Sequence, residues 1–120
     1  MAKFTVNNVE FEYDLFDADK AELFEKESEK IKKESLKTVK GEKLSAKIRR
    51  IGNTVFNAID TMFGVGKSQE LFGDKVNLID ISVTYHKIEV ELNKATAQAD
   101  AEAAKEIKKT VIKPSIKVAK

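Results

Sequence analysis

The N-terminal residues constrain the fold most, because apolar and polar residues alternate strictly on both sides of an Asn7-Asn8 pair. Asparagine tolerates a positive φ, so this pair can form the two-residue turn of a β-hairpin, with Val6 opposite Val9. A hairpin is not stable alone, so the sequence predicts strands over residues 3–13 whose apolar face lies on helices. That register places on one face Phe4, Val6, Val9, Phe11 and Tyr13, and on the other Lys3 opposite Glu12.

Two amphipathic helices are predicted after the hairpin. The first, about residues 18–39, begins at Asp17, whose carboxylate can cap the free amides, and ends before Gly41. Its apolar stripe is thin. The second, residues 44–63, has the best amphipathic pattern and is expected at the centre of the core. Its apolar positions are Leu44, Ile48, Ile51, Val55, Ile59 and Met62.

A connector and a long last helix complete the chain. Residues 64–75 are expected to contain a short helical turn capped by Ser68, and the third main helix covers residues 77–94. Residues 1–94 are predicted to form one domain of the α+β class, predominantly helical, with 95–120 as a helical extension and a flexible tail after Lys113-Pro114. The seam of the last helix is Leu78, Ile81, Tyr85, Ile88 and Leu92, with Ile79, Val83 and Val90 beside it.

Charge and composition exclude several classes of protein. Charged residues make up 35% of the chain, which suits helices with solvated faces, whereas the net charge of +2 is too small to favour nucleic acid. There is no cysteine and no apolar run of membrane-spanning length, so a cytoplasmic protein without a membrane partner is expected. Residues 1–30 carry four lysines against nine acids, and residues 101–120 carry six lysines against two. The ends are therefore electrostatically unlike, which leaves self-association open.

Two features that might suggest catalysis have simpler explanations. Gly66-Lys67-Ser68 lacks the preceding glycine of a phosphate loop, because Thr61 occupies that position and a helix comes before it. His86 is the only histidine, and it has no evident base, nucleophile or second metal ligand. We therefore expect no catalytic residue, no cofactor and no enzymatic activity.

Metal and nucleic-acid sites are not expected either. The acids near residues 14–19 lack the central glycine and terminal glutamate of a calcium loop, and helix capping accounts for them. A basic patch is present in the second helix, but glutamates interleave with many of the lysines of the chain, which favours a solvated face. The basic residues of the patch are Lys43, Lys47, Arg49 and Arg50.

Three stretches of the chain together resemble a family of small phage and prophage proteins, the tail assembly chaperones of long-tailed phages of Firmicutes. They are the hairpin FTVNNVEFEYDLFDADKAELFEK, the segment KLSAKIRRIGNTVFNAIDTMFGVGKSQELFGDKVNL, and the helix that follows, covering roughly residues 4–92. The departure from the family lies after Lys94. The matching residues are Asp60, Phe63, Gly64, Glu70, Leu71, Phe72, Gly73, Asn77 and Leu78.

The resemblance implies a non-catalytic function. Such proteins bind the hydrophobic tape measure protein and keep it soluble while the tail tube assembles, so the expected partners are the tape measure and the tail tube protein. The expected location is the host bacterial cytoplasm, outside the mature virion. The alternative is a small structural or completion protein of the tail that self-assembles through its oppositely charged ends. The predicted partner-binding residues are Phe63, Leu71, Phe72, Tyr85 and Leu92.

Overall fold

The computed structural model describes the backbone of residues 2–118 and the side chains of residues 2–107. Over these residues a two-stranded antiparallel hairpin is followed by helices, the last of them long, so the predicted α+β class is confirmed. In chain order the elements are β1 (Ala2–Val6), β2 (Val9–Tyr13), α1 (Ala18–Leu36), α2 (Leu44–Phe63), α3 (Lys67–Phe72) and α4 (Leu78–Val118).

The hairpin has the predicted register. Val6 lies opposite Val9, and both turn asparagines adopt a left-handed conformation, with φ of 50° at Asn7 and 65° at Asn8. Two consecutive positive φ values define the turn whose twist matches that of the strands. One face is buried throughout, and on the solvent face Lys3 Nζ lies 3.3 Å from a carboxylate oxygen of Glu12.

The buried hairpin face covers the helices, β1 against α4 and β2 against α2 and α3. Helix α2 lies at the centre, as predicted, since it contacts α1, α3, α4 and β2. Its stripe begins later than the sequence suggests, because Leu44 is 72% exposed. The buried core residues of α2 and α4 are Ile51, Val55, Ala58, Ile59, Met62, Ile81, Tyr85, Ile88 and Leu92.

Helix α1 packs on α2 and ends at Leu36, three residues before the predicted boundary. The guanidinium of Arg50 explains the early end, because its Nη1 donates to the backbone carbonyl of Glu34 at 2.9 Å. That carbonyl belongs to the last turn of α1, where the intrahelical donors run out. At the other end Asp17 occupies the N-cap position, but its carboxylate makes no capping hydrogen bond, so that predicted bond is wrong.

The short helix α3 is also capped differently from the prediction. Ser68 is not the cap; its backbone N–H donates to Asp60 Oδ1 at 2.9 Å and its hydroxyl donates to Asp60 Oδ2 at 3.0 Å. The carboxylate at the end of α2 therefore satisfies the first turn of α3 from outside the helix. This arrangement fixes the angle at which the chain leaves α2.

Helix α4 begins at Leu78 and continues through Pro114 to Val118. The sequence predicts an interruption at Lys113-Pro114, but the helix continues through it. The fixed φ of proline is helical, and the ring removes one backbone donor and crowds the carbonyl four residues earlier. The side chains from 100 to 107 are exposed, so this part of α4 extends beyond the hairpin and gives the molecule a longest dimension of 73 Å. The flexibility predicted for the tail concerns residues whose side chains lie outside the described part.

Candidate partner-binding surface

The structure separates the five predicted partner-binding residues into two groups. Tyr85 is 6% exposed and Leu92 is 0% exposed, so both lie inside the core. Phe63 is also engaged internally, because its ring meets that of Phe11 edge-on, with 4.9 Å between centroids. Leu71 and Phe72 are half-buried and line an open cleft. All five remain predicted partner-binding residues. Leu71 and Phe72 share one cleft, whereas Phe63 and Tyr85 each line a different concavity of the surface.

The α3–α4 cleft has a volume of about 330 Å³. Its apolar walls are formed by Leu71, Phe72 and Val83. A charged and polar rim surrounds them, contributed by Asn7, Lys75, Asp80 and Lys87. An apolar floor with a polar rim is the usual composition of a surface that binds an amphipathic segment.

Local hydrogen bonds fix the walls of the α3–α4 cleft. Asn77 caps α4, since the backbone N–H of Asp80 donates to Asn77 Oδ1 at 3.1 Å. Asn7, in the hairpin turn, donates through Nδ2 to Thr84 Oγ1 at 3.4 Å, which holds the turn against α4. Asp60, which binds the first turn of α3, and Asn77, which caps α4, therefore position the two helices around the cleft.

The outer face of α4 carries a second apolar stripe. The sequence pattern places Ile79, Val83 and Val90 beside the core seam. They are 74%, 49% and 39% exposed, respectively, and therefore do not widen it. Successive residues turn by about 100° around a helix, which places these three on the side opposite Ile81 and Leu92. The exposed alanines of the distal half continue the same face. We define the outer stripe as Ile79, Val83, Val90, Ala97, Ala101 and Ala104.

The outer stripe is not among the predicted partner-binding residues. Its members follow spacings of four, seven and three residues and lie on one helix face, where His86 and Asn93 interrupt the apolar residues. The stripe runs for about 38 Å from Ile79 to Ala104. A helix that packs on one side normally keeps its opposite side polar, so the exposed apolar residues of the outer stripe make this side of α4 a candidate binding surface.

The other candidate sites have structural explanations. In the described part of the chain no group of three or more His, Asp or Glu side chains is arranged to hold a metal ion. His86 is exposed on α4. The Ser68 amide, which a phosphate loop would offer to a ligand, already binds Asp60, and Arg50 of the basic patch is held by Glu34 and Glu42.

The architecture and this surface define a class: a small α+β protein in which an N-terminal hairpin covers a helical core and leaves one face of its last helix apolar and open. The chain belongs to the DUF6673 family, a family of unknown function, which matches residues 7–114. No curated protein and no solved structure matches the chain. No helix of the described residues is both long and apolar enough to cross a membrane.

Proposed function

We propose that this protein is a non-catalytic assembly chaperone that binds amphipathic helices of a partner, and that the partner is a phage tape measure protein. The observation that carries the binding function is the outer stripe, an exposed apolar face opposite the core face of α4. The tape measure is suggested by the sequence resemblance over residues 4–92. The binding mode and the partner thus rest on separate grounds.

The chemistry of the surface suits a long helical ligand. The outer stripe pairs branched side chains at Ile79, Val83 and Val90 with alanines beyond them. Burial of apolar surface stabilises a complex by about 25 cal/mol for each Å², and alanine has little such surface to bury. Its small side chain does, however, permit close approach of a second helix backbone. Binding would be strongest near the α3–α4 cleft and weaker along the distal half. Such graded, moderate affinity fits a chaperone, which must release its partner when the tube forms.

The direct test is co-expression of the full chain with a tape measure protein, scored by soluble recovery and co-purification. The binding surface is tested with Val83→Glu/Val90→Glu, because both side chains are exposed and the charges should not disturb the core. The matched control is Ser82→Glu, at an exposed position of the same helix that is not part of the outer stripe. We expect the wild type and the control to keep the tape measure soluble and the double variant to lose this activity.

Two results would count against the proposal. If the tape measure stays insoluble beside the wild-type chain, the partner is wrong. If the double variant folds and keeps the tape measure protein soluble as well as the wild type does, the outer stripe is not the binding surface.

The oppositely charged ends favour a second candidate, a small structural or completion protein of the tail that self-assembles. Mass spectrometry of purified phage particles distinguishes the two functions. A chaperone is absent from mature particles, whereas a structural protein is present at a fixed copy number. Presence of the chain in particles, without any effect on tape measure solubility, would favour the structural candidate.

A further inference from the structure

A second groove lies on the other side of α4, between it and α1. The α1–α4 groove has a volume of about 540 Å³ and an apolar floor formed by Phe24, Ile31 and Tyr85. The hydroxyls of Ser28 and Tyr85 lie 2.9 Å apart beneath it and join the two helices. The floor is shallow and about two helical turns long, which fits a short helical segment.

The rim of the α1–α4 groove is acidic. Glu25, Glu29 and Glu89 line it, against the single lysine Lys32. Glu25 and Glu29 are exposed and form no ion pair with the described residues. Burial raises the pKa of Glu89, and the nearby His86 opposes this shift only in part, so this carboxylate is partly removed from water. Three carboxylates on one rim therefore make the groove complementary to a basic ligand.

The chain itself contains a segment of complementary chemistry. Residues 108–120, the basic segment, contain five lysines and no acidic residue. Lys109 and Lys113 are four residues apart, the same separation as Glu25 and Glu29 on α1. On two helices lying side by side this spacing of about 6 Å aligns one lysine with each glutamate. The apolar residues of the basic segment are Val111, Ile112, Ile116 and Val118.

A chain cannot place its own basic segment in its own groove. Helix α4 is continuous from Leu78 to Val118 and carries both Glu89 and Lys109. These two residues are about 30 Å apart along one helix axis, so the segment points away from the groove. We infer that the α1–α4 groove binds the basic segment of a second copy of this protein, with the side of the helix that carries Ile112 and Ile116 toward the apolar floor and Lys109 and Lys113 beside the glutamates.

This contact joins unlike surfaces of two identical chains. A head-to-tail contact leaves one groove and one basic segment unused at the ends, so assembly grows into a ring or an open chain. The outer stripe lies on a different face of α4 and stays accessible in such an assembly. The inference does not depend on the tape measure as partner.

The first measurement is sedimentation velocity of the full-length protein over a range of concentrations, at low and high salt. We expect the average mass to rise with concentration and to fall with salt, because the rim contacts are exposed ion pairs. Reversing the groove charges with Glu25→Lys/Glu29→Lys, or the segment charges with Lys109→Glu/Lys113→Glu, should weaken association about tenfold or more. The matched control is Lys40→Glu/Lys43→Glu, at exposed positions outside both surfaces.

Mixing the variants gives the decisive result. The unchanged groove of the segment variant complements the unchanged segment of the groove variant, and the lysine-lined groove complements the glutamate-bearing segment. An equimolar mixture should therefore associate again, whereas each variant alone should associate weakly. A chain that carries both reversals should associate again, since lysines then line the groove and glutamates the segment. These outcomes require a contact between groove and segment, and circular dichroism shows whether each variant is folded.

Three outcomes would overturn the inference. The wild type stays monomeric at all concentrations. The reversed variants assemble as well as the wild type, which would place the contact elsewhere. The segment variant loses binding to anionic lipid vesicles while its self-association is unchanged, which would make the basic segment a membrane-binding element. Each result is readable without any tail protein in the experiment.

Discussion

The hydroxyls of Ser28 and Tyr85 lie 2.9 Å apart and connect α1 to α4. Helix α1 has a thin apolar stripe, so this polar contact matters more than it would between two well-packed helices. Tyr85 is almost completely buried, and burial is the main reason that its pKa is raised to about 12. The contact therefore makes α1 sensitive to both mutation and alkaline pH.

Tyr85→Phe should destabilise the protein by about 0.5–1.5 kcal/mol at pH 7, because the ring is kept and one hydrogen bond is lost. The raised pKa means that the folded state binds the phenolic proton more tightly than the unfolded state. The stabilisation is present below the ordinary pKa of 10.0 and is lost as pH rises through about 12. Urea denaturation over this range should show a smaller alkaline loss in Tyr85→Phe than in the wild type. Equal losses would contradict the burial of Tyr85.

Glu89→Gln should stabilise the protein at neutral pH. Burial raises the pKa of Glu89, so the folded state disfavours the charged carboxylate, and stability falls as pH rises from the ordinary value of 4.5 through the raised pKa. The gain should stay below about 1 kcal/mol because the side chain is partly solvated. Thermal melts at pH 7 and pH 4 test this, with a higher melting temperature for Glu89→Gln at pH 7 and no difference at pH 4. The exposed Glu25→Gln is the control, and a Glu89→Gln variant that melts earlier at pH 7 would refute the prediction.

Arg50 holds the connection between α1 and α2. Its Nε and Nη2 each donate to a carboxylate oxygen of Glu42 at 2.9 Å, and its Nη1 donates to Glu34. Arg50→Ala should lower the melting temperature by several degrees, whereas Arg49→Ala, at an exposed position, should leave it unchanged. Arg50→Lys should restore only part of the loss, since an ammonium cannot make the paired contact.

The contact between Arg50 and Glu42 should also make the stability of the protein depend on pH in the acid range. The hydrogen bond from Arg50 is the main cause of the lowered pKa of Glu42. A lowered carboxyl pKa stabilises the fold above the ordinary value of 4.5 and loses that contribution as pH falls through the folded pKa. The difference in melting temperature between the wild type and Arg50→Ala should therefore shrink below pH 4.5. A difference that is constant with pH would exclude the Glu42 contact as its source.

Local patterns predict the hairpin register and the bounds of α2 well, because strand alternation and helix spacing are properties of neighbouring residues. The errors arise where distant residues meet. Nothing near Leu36 indicates that Arg50 will bind the end of α1, and nothing near Ser68 indicates the Asp60 carboxylate. The outer stripe, in contrast, can be located from the sequence, because helical geometry alone places Val83 opposite Ile81.

The predicted partner-binding residues also show which properties depend on local sequence and which depend on distant contacts. Leu71 and Phe72 are predicted to bind a partner, and their side chains line an open cleft. Leu92 belongs to the same apolar seam as Ile88, and a seam residue is buried wherever another element covers it. The hairpin covers this one, through β1. Sequence spacing identifies the seam but not how far along the helix the hairpin extends.

Gly52 allows a close approach in the middle of α2. A Cβ built on it would lie 2.7 Å from Val76 Cγ1 and 3.3 Å from Ile81 Cδ1. Alanine raises helix propensity by about 1 kcal/mol, but overpacking typically costs about 1–3 kcal/mol. We expect Gly52→Ala to reduce the free energy of unfolding, and Gly52→Ala/Val76→Ala to recover part of the loss. If Gly52→Ala alone is more stable than the wild type, the segment around Val76 can shift to accommodate the added methyl group without loss of stability.

Leu92→Ala distinguishes a core residue from a partner contact. Leu92 is 0% exposed and belongs to the core cluster with Phe4 and Ile88, so truncation should cost about 2–5 kcal/mol of stability. Val90→Ala, on the outer stripe and 39% exposed, should change stability by less than about 0.5 kcal/mol. Urea denaturation of the isolated protein measures both values. Val90→Ala should weaken partner binding, because it removes a surface contact and leaves the fold intact. Equal stability of Leu92→Ala and the wild type would mean that β1 does not cover this part of α4.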